Sequence, residues 1–314
     1  MGFAMSMVKA PALKSGDKVG IIAPASNIQR ELLEKGIAGL RKLGYEPVYL
    51  PGILERDLYF AGPVQRRVQE LQELLERDDT AALICARGGY GTNYLLEQLD
   101  FQKFVQHPKI IVGYSDNTSL LTAITDRCGL VTFHGPMVTK DFALPDGVEL
   151  SSWNNAVAGT ASWNLPTDGV QVLRQGKARG RLYGGCLSLL VASLGTSFEI
   201  QTDETILFME DIGAKPYQVD RMLMQLRLAG KLDKVKAFVF GEMLDCTQPG
   251  GQDYSLPDVI LRVLQGYDVP IIYGLRSGHV SRANVTLPIG VQAELIANNS
   301  EARLTILESS VKTT

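Results

Sequence analysis

Lys18-Val-Gly-Ile-Ile-Ala-Pro24 is a short apolar run that stops at a proline and small residues, and Gln29 to Leu43 then shows helical spacing through Leu32, Leu33, Ile37, Leu40 and Leu43. This reads as strand, loop, helix. The unit recurs downstream: Pro47 to Leu50 reads as a second strand, Val64 to Arg77 as a helix through Val68, Leu71, Leu74 and Leu75, and Ala81 to Ala86 as a third strand. Lys109 to Val112 is a fourth strand, followed by a helical stretch around Leu120, Leu121 and Ile124. Strands that alternate with helices imply a largely parallel sheet. Ligands of such sheets gather at the carboxyl ends of the strands, which singles out the loops Pro24-Ala-Ser-Asn27, Arg87-Gly-Gly-Tyr-Gly91 and Gly113-Tyr-Ser-Asp116.

From about Leu144 to Gly180 the pattern weakens into Pro145, Gly147, Asn154-Asn155, Pro166 and Gly169, which reads as a crossing segment with Trp153 and Trp163 as packing anchors. Beyond it the sequence predicts a Gly184-Gly185 turn, a helix over Leu187 to Leu194, a strand at Ile206 to Met209, a helix over Val219 to Ala229 and a strand at Ala237 to Phe240. Four later runs, Pro270 to Tyr273, Asn284 to Leu287, Gln292 to Ile296 and Arg303 to Leu307, are short and β-like. The fold class expected is therefore α/β. A parallel-sheet domain covers 1–150, the crossing segment 151–180, and a mixed, β-containing domain 181–314.

The chain has 314 residues, 45% of them hydrophobic, with 31 Lys and Arg against 34 Asp and Glu, a formal charge of −3. It lacks the basic excess that nucleic-acid or anionic-membrane binding uses to displace counterions, so neither is an expected partner. Cys85, Cys128, Cys186 and Cys246 are isolated and form no CxxC or Cys/His ligand spacing, so neither a disulfide framework nor a zinc site is indicated. Lys9, Lys14, Asp17 and Lys18 interrupt the first twenty residues, which leaves no apolar stretch for a secretory signal, and no run of ~18 apolar residues could span a bilayer. The compartment expected is the cytoplasm.

Lys109-Ile-Ile-Val-Gly-Tyr-Ser-Asp-Asn-Thr118 puts a serine at the turn between a strand and a helix, where a nucleophile's hydroxyl is lifted off the sheet and helix N-terminal amides face an oxyanion. The match is partial. Gly113 stands two residues before Ser115, but Asn117 replaces the second glycine of the hydrolase pattern, and Ser115 or Asp116 could instead cap the helix. A serine nucleophile needs a base, and the chain has three histidines. His107 precedes a proline in a polar loop; His134 follows a strand-like run and could line a pocket or serve the structure; His279, in Ser277-Gly-His-Val-Ser281, is the best base. The acid that orients it is one of Glu210 and Asp211, at the end of the apolar strand Thr205 to Met209, unless that pair serves a salt bridge or cap near Arg221. Arg87-Gly-Gly-Tyr-Gly91 lacks the spacing of a dinucleotide site or a P-loop, so no cofactor is expected. Its uses would be an amide for an oxyanion and, in Arg87, a planar donor fork for a substrate carboxylate.

Five segments in order carry a resemblance that runs over nearly the whole chain: Gly20-Ile-Ile-Ala-Pro-Ala-Ser26, Arg87-Gly-Gly-Tyr-Gly91, Gly113-Tyr-Ser-Asp116 with His134-Gly-Pro-Met137, Leu207-Phe-Met-Glu-Asp-Ile212, and Gly278-His279 with Thr286-Leu-Pro-Ile-Gly290. The sequence resembles the LD-carboxypeptidase family, serine peptidases of the muramoyltetrapeptide carboxypeptidase type. The resemblance implies a Rossmann-like N-terminal domain with a smaller β-containing C-terminal domain, and a triad of Ser115, Glu210 and His279 assembled between them. It implies oxyanion amides at Asp116 and Gly89, and no metal or other cofactor; Arg87, for a free C-terminal carboxylate, and Tyr114 are the substrate contacts expected beside it. The implied reaction removes the terminal D-alanine from murein tetrapeptides in cytoplasmic cell-wall recycling, and a homodimer is the implied assembly.

Two alternatives stand beside it. The microcin-C immunity peptidases share the triad but cleave an aminoacyl or peptidyl nucleotide conjugate, and a binder with no catalysis could hold a peptide or sugar in the same cleft. Such a binder has no need for all of Ser115, Glu210 and His279. Labelling by a fluorophosphonate, lost in Ser115→Ala, would separate it from an enzyme.

Overall fold

The computed structural model describes residues 7–248, 250, 253–299 and 301–312. The described residues form fourteen strands: β1 Lys18–Ile22, β2 Glu46–Val48, β3 Thr80–Cys85, β4 Ile110–Gly113, β5 Thr132–His134, β6 Trp163–Asn164, β7 Gln171–Arg174, β8 Gly176–Cys186, β9 Thr205–Glu210, β10 Ala237–Gly241, β11 Ile271–Leu275, β12 Leu287–Ile289, β13 Gln292–Ala297 and β14 Ala302–Ile306.

The first sheet has the order β12-β5-β4-β3-β1-β2, with β2, β1, β3, β4 and β5 all parallel and β12 antiparallel at the edge. Its apolar residues divide by the two-residue period of a strand. Val19, Ile21, Ala82, Ile84, Ile110 and Val112 pack to one side, and Ile22, Leu83, Cys85 and Ile111 to the other. Both faces are thus covered, as βαβ connections require. The helix Arg30–Lys42 buries Leu33, Ile37 and Leu40, the stripe that its spacing foretold. The second sheet has the order β6-β14-β13-β8-β9-β10-β11-β7, with a parallel centre over β8 to β11 and antiparallel strands on both flanks. The architecture is α/β with a parallel first sheet and a β-rich remainder.

Three local readings differ from the structure. Gly184 and Gly185 are not a turn: they lie inside β8, opposite Phe208 and Met209 of β9. A Cβ on Gly184 would stand 1.9 Å from the Phe208 carbonyl oxygen, and one on Gly185 2.6 Å from Cγ2 of Thr118, so glycine serves close approach here. The stretch after Leu144 holds a helix, Leu150–Ala158, as well as β6 and β7. Glu149 caps that helix through hydrogen bonds from Ser151 N and Ser152 N, and Trp153 is fully buried against Tyr45 and Phe142. Finally, the strand expected over Asn284 to Leu287 begins at Leu287, and it joins the first sheet, where Leu287 pairs with His134.

Candidate active site

The C-terminal ends of β1, β3 and β4 open on one cleft of about 410 Å³. The strand order reverses between β1 and β3, where an open α/β sheet leaves a crevice. Its lining draws Ile28 and Gln29 from the first loop, Arg87, Gly88 and Gly89 from the second, Tyr114 and Ser115 from the third, and His279 from the distant Gly-His loop.

Ser115 follows β4 and Tyr114, at the first position of a short 3₁₀ turn, Ser115–Asn117, that leads into the helix Thr118–Cys128. Its φ is +62°, a conformation that costs a non-glycine residue roughly 1–2 kcal/mol and persists only where the surroundings enforce it. The enforcement is visible. Asn117 Nδ2 donates to the carbonyls of Tyr114 (3.1 Å) and Arg87 (3.2 Å), and the Asp116 carboxylate accepts from Thr92 N at 2.8 Å. Asp116 therefore braces the glycine-rich turn instead of capping the helix, and burial raises its pKa against the lowering effect of the Thr92 bonds.

Gly88 packs directly on the serine, since a Cβ there would stand 2.6 Å from Ser115 Cβ and 3.3 Å from the Asp116 amide nitrogen. Gly89, at φ +104°, lies against Ser26, whose hydroxyl accepts from Tyr90 N. Two buried charges brace these loops, Arg67 on the glycine-rich turn and Glu70 on the chain leaving β1. Arg67 Nη1 donates to the carbonyls of Pro24 (2.6 Å) and Gly91 (2.9 Å), joining the first loop to the second. Glu70 accepts from Ala23 N at 2.8 Å and pairs with Arg66 at 2.8 Å. The sequence reading passed over both. Their signal is positional, because Arg67 stands on the buried stripe of its helix with Leu71, Leu74 and Leu75, where a charge requires a partner.

Glu210 ends β9 and is fully buried. Its Oε2 accepts from the His279 backbone N–H at 2.9 Å and lies 2.8 Å from His279 Nδ1. Burial pushes this carboxyl up, but the hydrogen bonds from the ring and backbone of His279 outweigh it and leave the pKa below the ordinary value. Gly278 makes the approach feasible: its φ is +92°, and a Cβ would stand 2.5 Å from the Glu210 carboxyl carbon. Asp211 turns elsewhere, accepting from Ser188 N at 2.9 Å and Ile212 N at 2.8 Å. The pair that residue pattern leaves open, and from which the family resemblance selects Glu210, is thus divided, one carboxylate to the histidine and one to the start of the helix Leu187–Ala192.

His279 is partly exposed, with its side chain 12% accessible, and stacks edge-on against Tyr114 at 5.2 Å between centroids. Tyr114 itself is buried, and burial with the nearby Asp141 raises its phenol well above the ordinary value. Arg87 is exposed in the cleft, and among the described residues its guanidinium donates from Nη1 to the Asn27 carbonyl at 3.2 Å. Lys140, absent from the sequence reading, is the second cation of the lining, with Nζ 5.6 Å from the Tyr114 ring centroid. Thr139 anchors it by donating N–H and hydroxyl to the Ala86 carbonyl. No acidic side chain lines the cleft among the described residues.

His134 does not reach the cleft. It is fully buried behind Glu210, with Nε2 4.0 Å from Oε1, and burial lowers its pKa to about 4, so it is neutral near pH 7. His107 follows the helix Phe101–Gln106, away from the cleft lining. Among the described residues, one set of three side chains could bring metal-ligand atoms within 4.8 Å of one another: Cys186, Glu210 and His279. Two of these are already hydrogen-bonded to each other, and burial raises the Cys186 thiol well above its ordinary pKa. No helix among the described residues is long and apolar enough to cross a membrane.

A serine in a strained turn, a histidine in the same cleft and a buried carboxylate on that histidine are the parts of a nucleophilic hydrolase. The family model described as LD-carboxypeptidase N-terminal domain matches residues 19–135, and that of the LD-carboxypeptidase C-terminal domain matches residues 179–295. A probable murein peptide carboxypeptidase of Bacillus subtilis is 37% identical over 310 residues, covering 96% of this chain and 95% of its own. The crystal structure of a muramoyltetrapeptide carboxypeptidase from Oxalobacter formigenes superimposes with a TM-score of 0.84 at 30% identity, over 94% of this chain and all of that one. The microcin C7 self-immunity protein MccF, in complex with aspartyl sulfamoyl adenosine, superimposes with a TM-score of 0.89 at 27% identity, over 97% of this chain and all of that one.

Proposed function

Because the chain belongs to the LD-carboxypeptidase family, we propose that it is a serine-type LD-carboxypeptidase that removes the terminal D-alanine from murein tetrapeptides, in cell-wall recycling. The observation that carries the reading is the 2.8 Å contact of buried Glu210 with Nδ1 of a histidine that shares a cleft with Ser115. Glu210 keeps Nδ1 as the protonated nitrogen of His279, which leaves Nε2 to act as base. Ser115 Oγ attacks the carbonyl carbon of the L,D-amide as Nε2 takes its proton. The oxyanion is met by the backbone amides of Asp116, just before the helix Thr118–Cys128, and of Gly89 in the glycine-rich turn. Collapse breaks the C–N bond, Nε2 returns the proton to the departing amine, and D-alanine leaves an ester on Ser115. Water, deprotonated by the same nitrogen, hydrolyses that ester.

Arg87 and Lys140 supply the positive charge that a free C-terminal carboxylate requires, and the absence of acids from the described lining supports that use. Tyr114 forms the wall beside His279.

The test is mass-spectrometric detection of D-alanine released from L-Ala-D-Glu-meso-diaminopimelate-D-Ala in EDTA, with wild type and Ser115→Ala. Release by wild type alone is expected. Equal release by both would remove Ser115 as the nucleophile. The likeness to the self-immunity protein, solved with an aminoacyl sulfamoyl nucleoside, favours a second reading as a peptidase of such conjugates. Cleavage of the conjugate, with no release from the tetrapeptide, would put that reading first.

A further inference from the structure

Among the described residues, the buried polar atoms without a hydrogen-bond partner include three on two neighbouring side chains: Oε1 of Glu210 and both ring nitrogens of His134. Buried polar atoms are nearly always paired, so a cluster of three calls for an explanation. The shortest separation in it, Nε2 of His134 to Oε1 of Glu210, is 4.0 Å, about an ångström beyond a hydrogen bond. Both side chains are completely shielded from solvent, and the other carboxylate oxygen, Oε2, is the one engaged by His279.

The surroundings aim His134 at this point. It is the last residue of β5, held between Gly113 of β4 and Leu287 of β12. The Phe208 ring meets it edge-on at 5.1 Å, and Phe208 lies two residues before Glu210 on β9, on the same face of that strand. Tyr114 stands between the two histidines, 5.9 Å from the ring of His134 and 5.2 Å from that of His279. His134 belongs to the first sheet, which carries Ser115, whereas Glu210 belongs to the second. It is therefore a first-sheet side chain facing the acid of the second sheet.

We propose that His134 is a positioning residue: its Nε2–H hydrogen-bonds Oε1 of Glu210, directly or through one water, so that the carboxylate is gripped by a histidine on each oxygen and registered against the sheet that bears the serine. The inference rests on the reading of Glu210 as the acid that orients His279. A carboxylate held at one oxygen can swing about its terminal torsion, and a hydrogen bond at the second oxygen stops that rotation. The substrate never meets His134, so its effect falls on turnover and not on binding.

The experiment compares wild type with His134→Phe, which keeps a planar ring against Tyr114 and Phe208 but removes the donor, and His134→Gln, which restores one. Two readouts are taken on the full chain. The first is kcat and KM on the tetrapeptide. The second is the low-field proton resonance of His279 Nδ1–H, assigned by its loss in His279→Ala. For His134→Phe, kcat is expected to fall about tenfold or more with KM within twofold, and the resonance to move; His134→Gln recovers most of both. An unchanged resonance together with unchanged kcat in His134→Phe would overturn the proposal, as would equal loss in the Phe and Gln variants. If the wild type releases no D-alanine, the proposed function fails, and the resonance still decides the role of His134. Should His134→Phe not fold, His134→Asn, too short to span the gap, takes its place under the same criteria.

Discussion

Gly88 and Ser115 stand so close that a single methyl group on the glycine would lie 2.6 Å from the serine Cβ and 2.8 Å from its Oγ. The glycine-rich turn therefore fixes where the hydroxyl can be, as well as offering amides. Gly88→Ala is expected to displace Oγ by a fraction of an ångström to an ångström and to lower kcat about 100-fold, because misplacement of that size removes the near-attack geometry. Steady-state kinetics on the tetrapeptide check this, beside a melting curve that shows the fold retained.

The left-handed backbone of Ser115 has a thermodynamic cost of its own. Ser115→Ala keeps that cost, and Ser115→Gly removes it. Both variants are expected to lack activity, with Ser115→Gly the more stable by about 1 kcal/mol once the greater freedom of unfolded glycine is set against the relieved strain. Urea unfolding of the two side by side measures the difference.

Glu210→Gln puts an amide where the carboxylate accepts from both the ring and the backbone of His279. The amide carries no charge to stabilise a positively charged imidazole, and only its carbonyl oxygen can accept from the His279 donors, since its NH₂ group is itself a donor. A fall in kcat of about 10³–10⁴ is expected, with KM changed much less, as for removal of the acid's charge in a serine triad. A kcat within tenfold of wild type would show that Glu210 does not perform this role.

Lys140→Ala and Arg87→Ala each remove a cation from a cleft lining that holds no acid among the described residues. The expected outcome is a rise in KM of about ten- to a hundredfold for each, with kcat little changed, since a charge-assisted hydrogen bond is worth about 1.5–3 kcal/mol. A tetrapeptide amide, which lacks the terminal carboxylate, should show the wild type and the variants alike. Unchanged KM and kcat/KM in Arg87→Ala would remove it from carboxylate recognition.

His134 makes stability depend on pH in a known direction. Burial lowers its folded pKa to about 4, below the 6.5 of the unfolded chain, so between these values the unfolded state binds the additional proton. Its contribution is fully present above pH 6.5 and declines as the pH falls towards 4, on the order of 3 kcal/mol in total. Asp126 and Asp141 oppose it, because burial raises both to about 6 and protonation then favours the folded state. The comparison that isolates His134 is the urea midpoint of wild type and His134→Gln from pH 7 to pH 4.5. The gap between them should shift in favour of the variant as the solution becomes acid.

The alternation of apolar runs and helical stripes from Lys18 to Ile124 was sufficient to read a parallel sheet, its loops and Ser115 at the end of one of them, because strand and helix periods are properties of neighbouring residues. The same local reading misplaced Gly184 and Gly185, whose place inside β8 is explained only by Phe208 on the adjoining strand and Thr118 on a helix of the other half. It could not foresee that Leu287 would return to pair with His134, or which of Glu210 and Asp211 would meet a histidine 69 residues away. The inventory of chemical groups, and the strands, helices and loops that carry them, follow from the order of neighbouring residues. Spacing and periodicity do not say which carboxylate lies against His279, for which the family resemblance pointed to Glu210, nor that His134 lies behind it or that Lys140 shares the cleft with Arg87; folding settles these. These are distances between residues remote in the chain, set by how two sheets pack, and no periodicity along a single strand or helix encodes them.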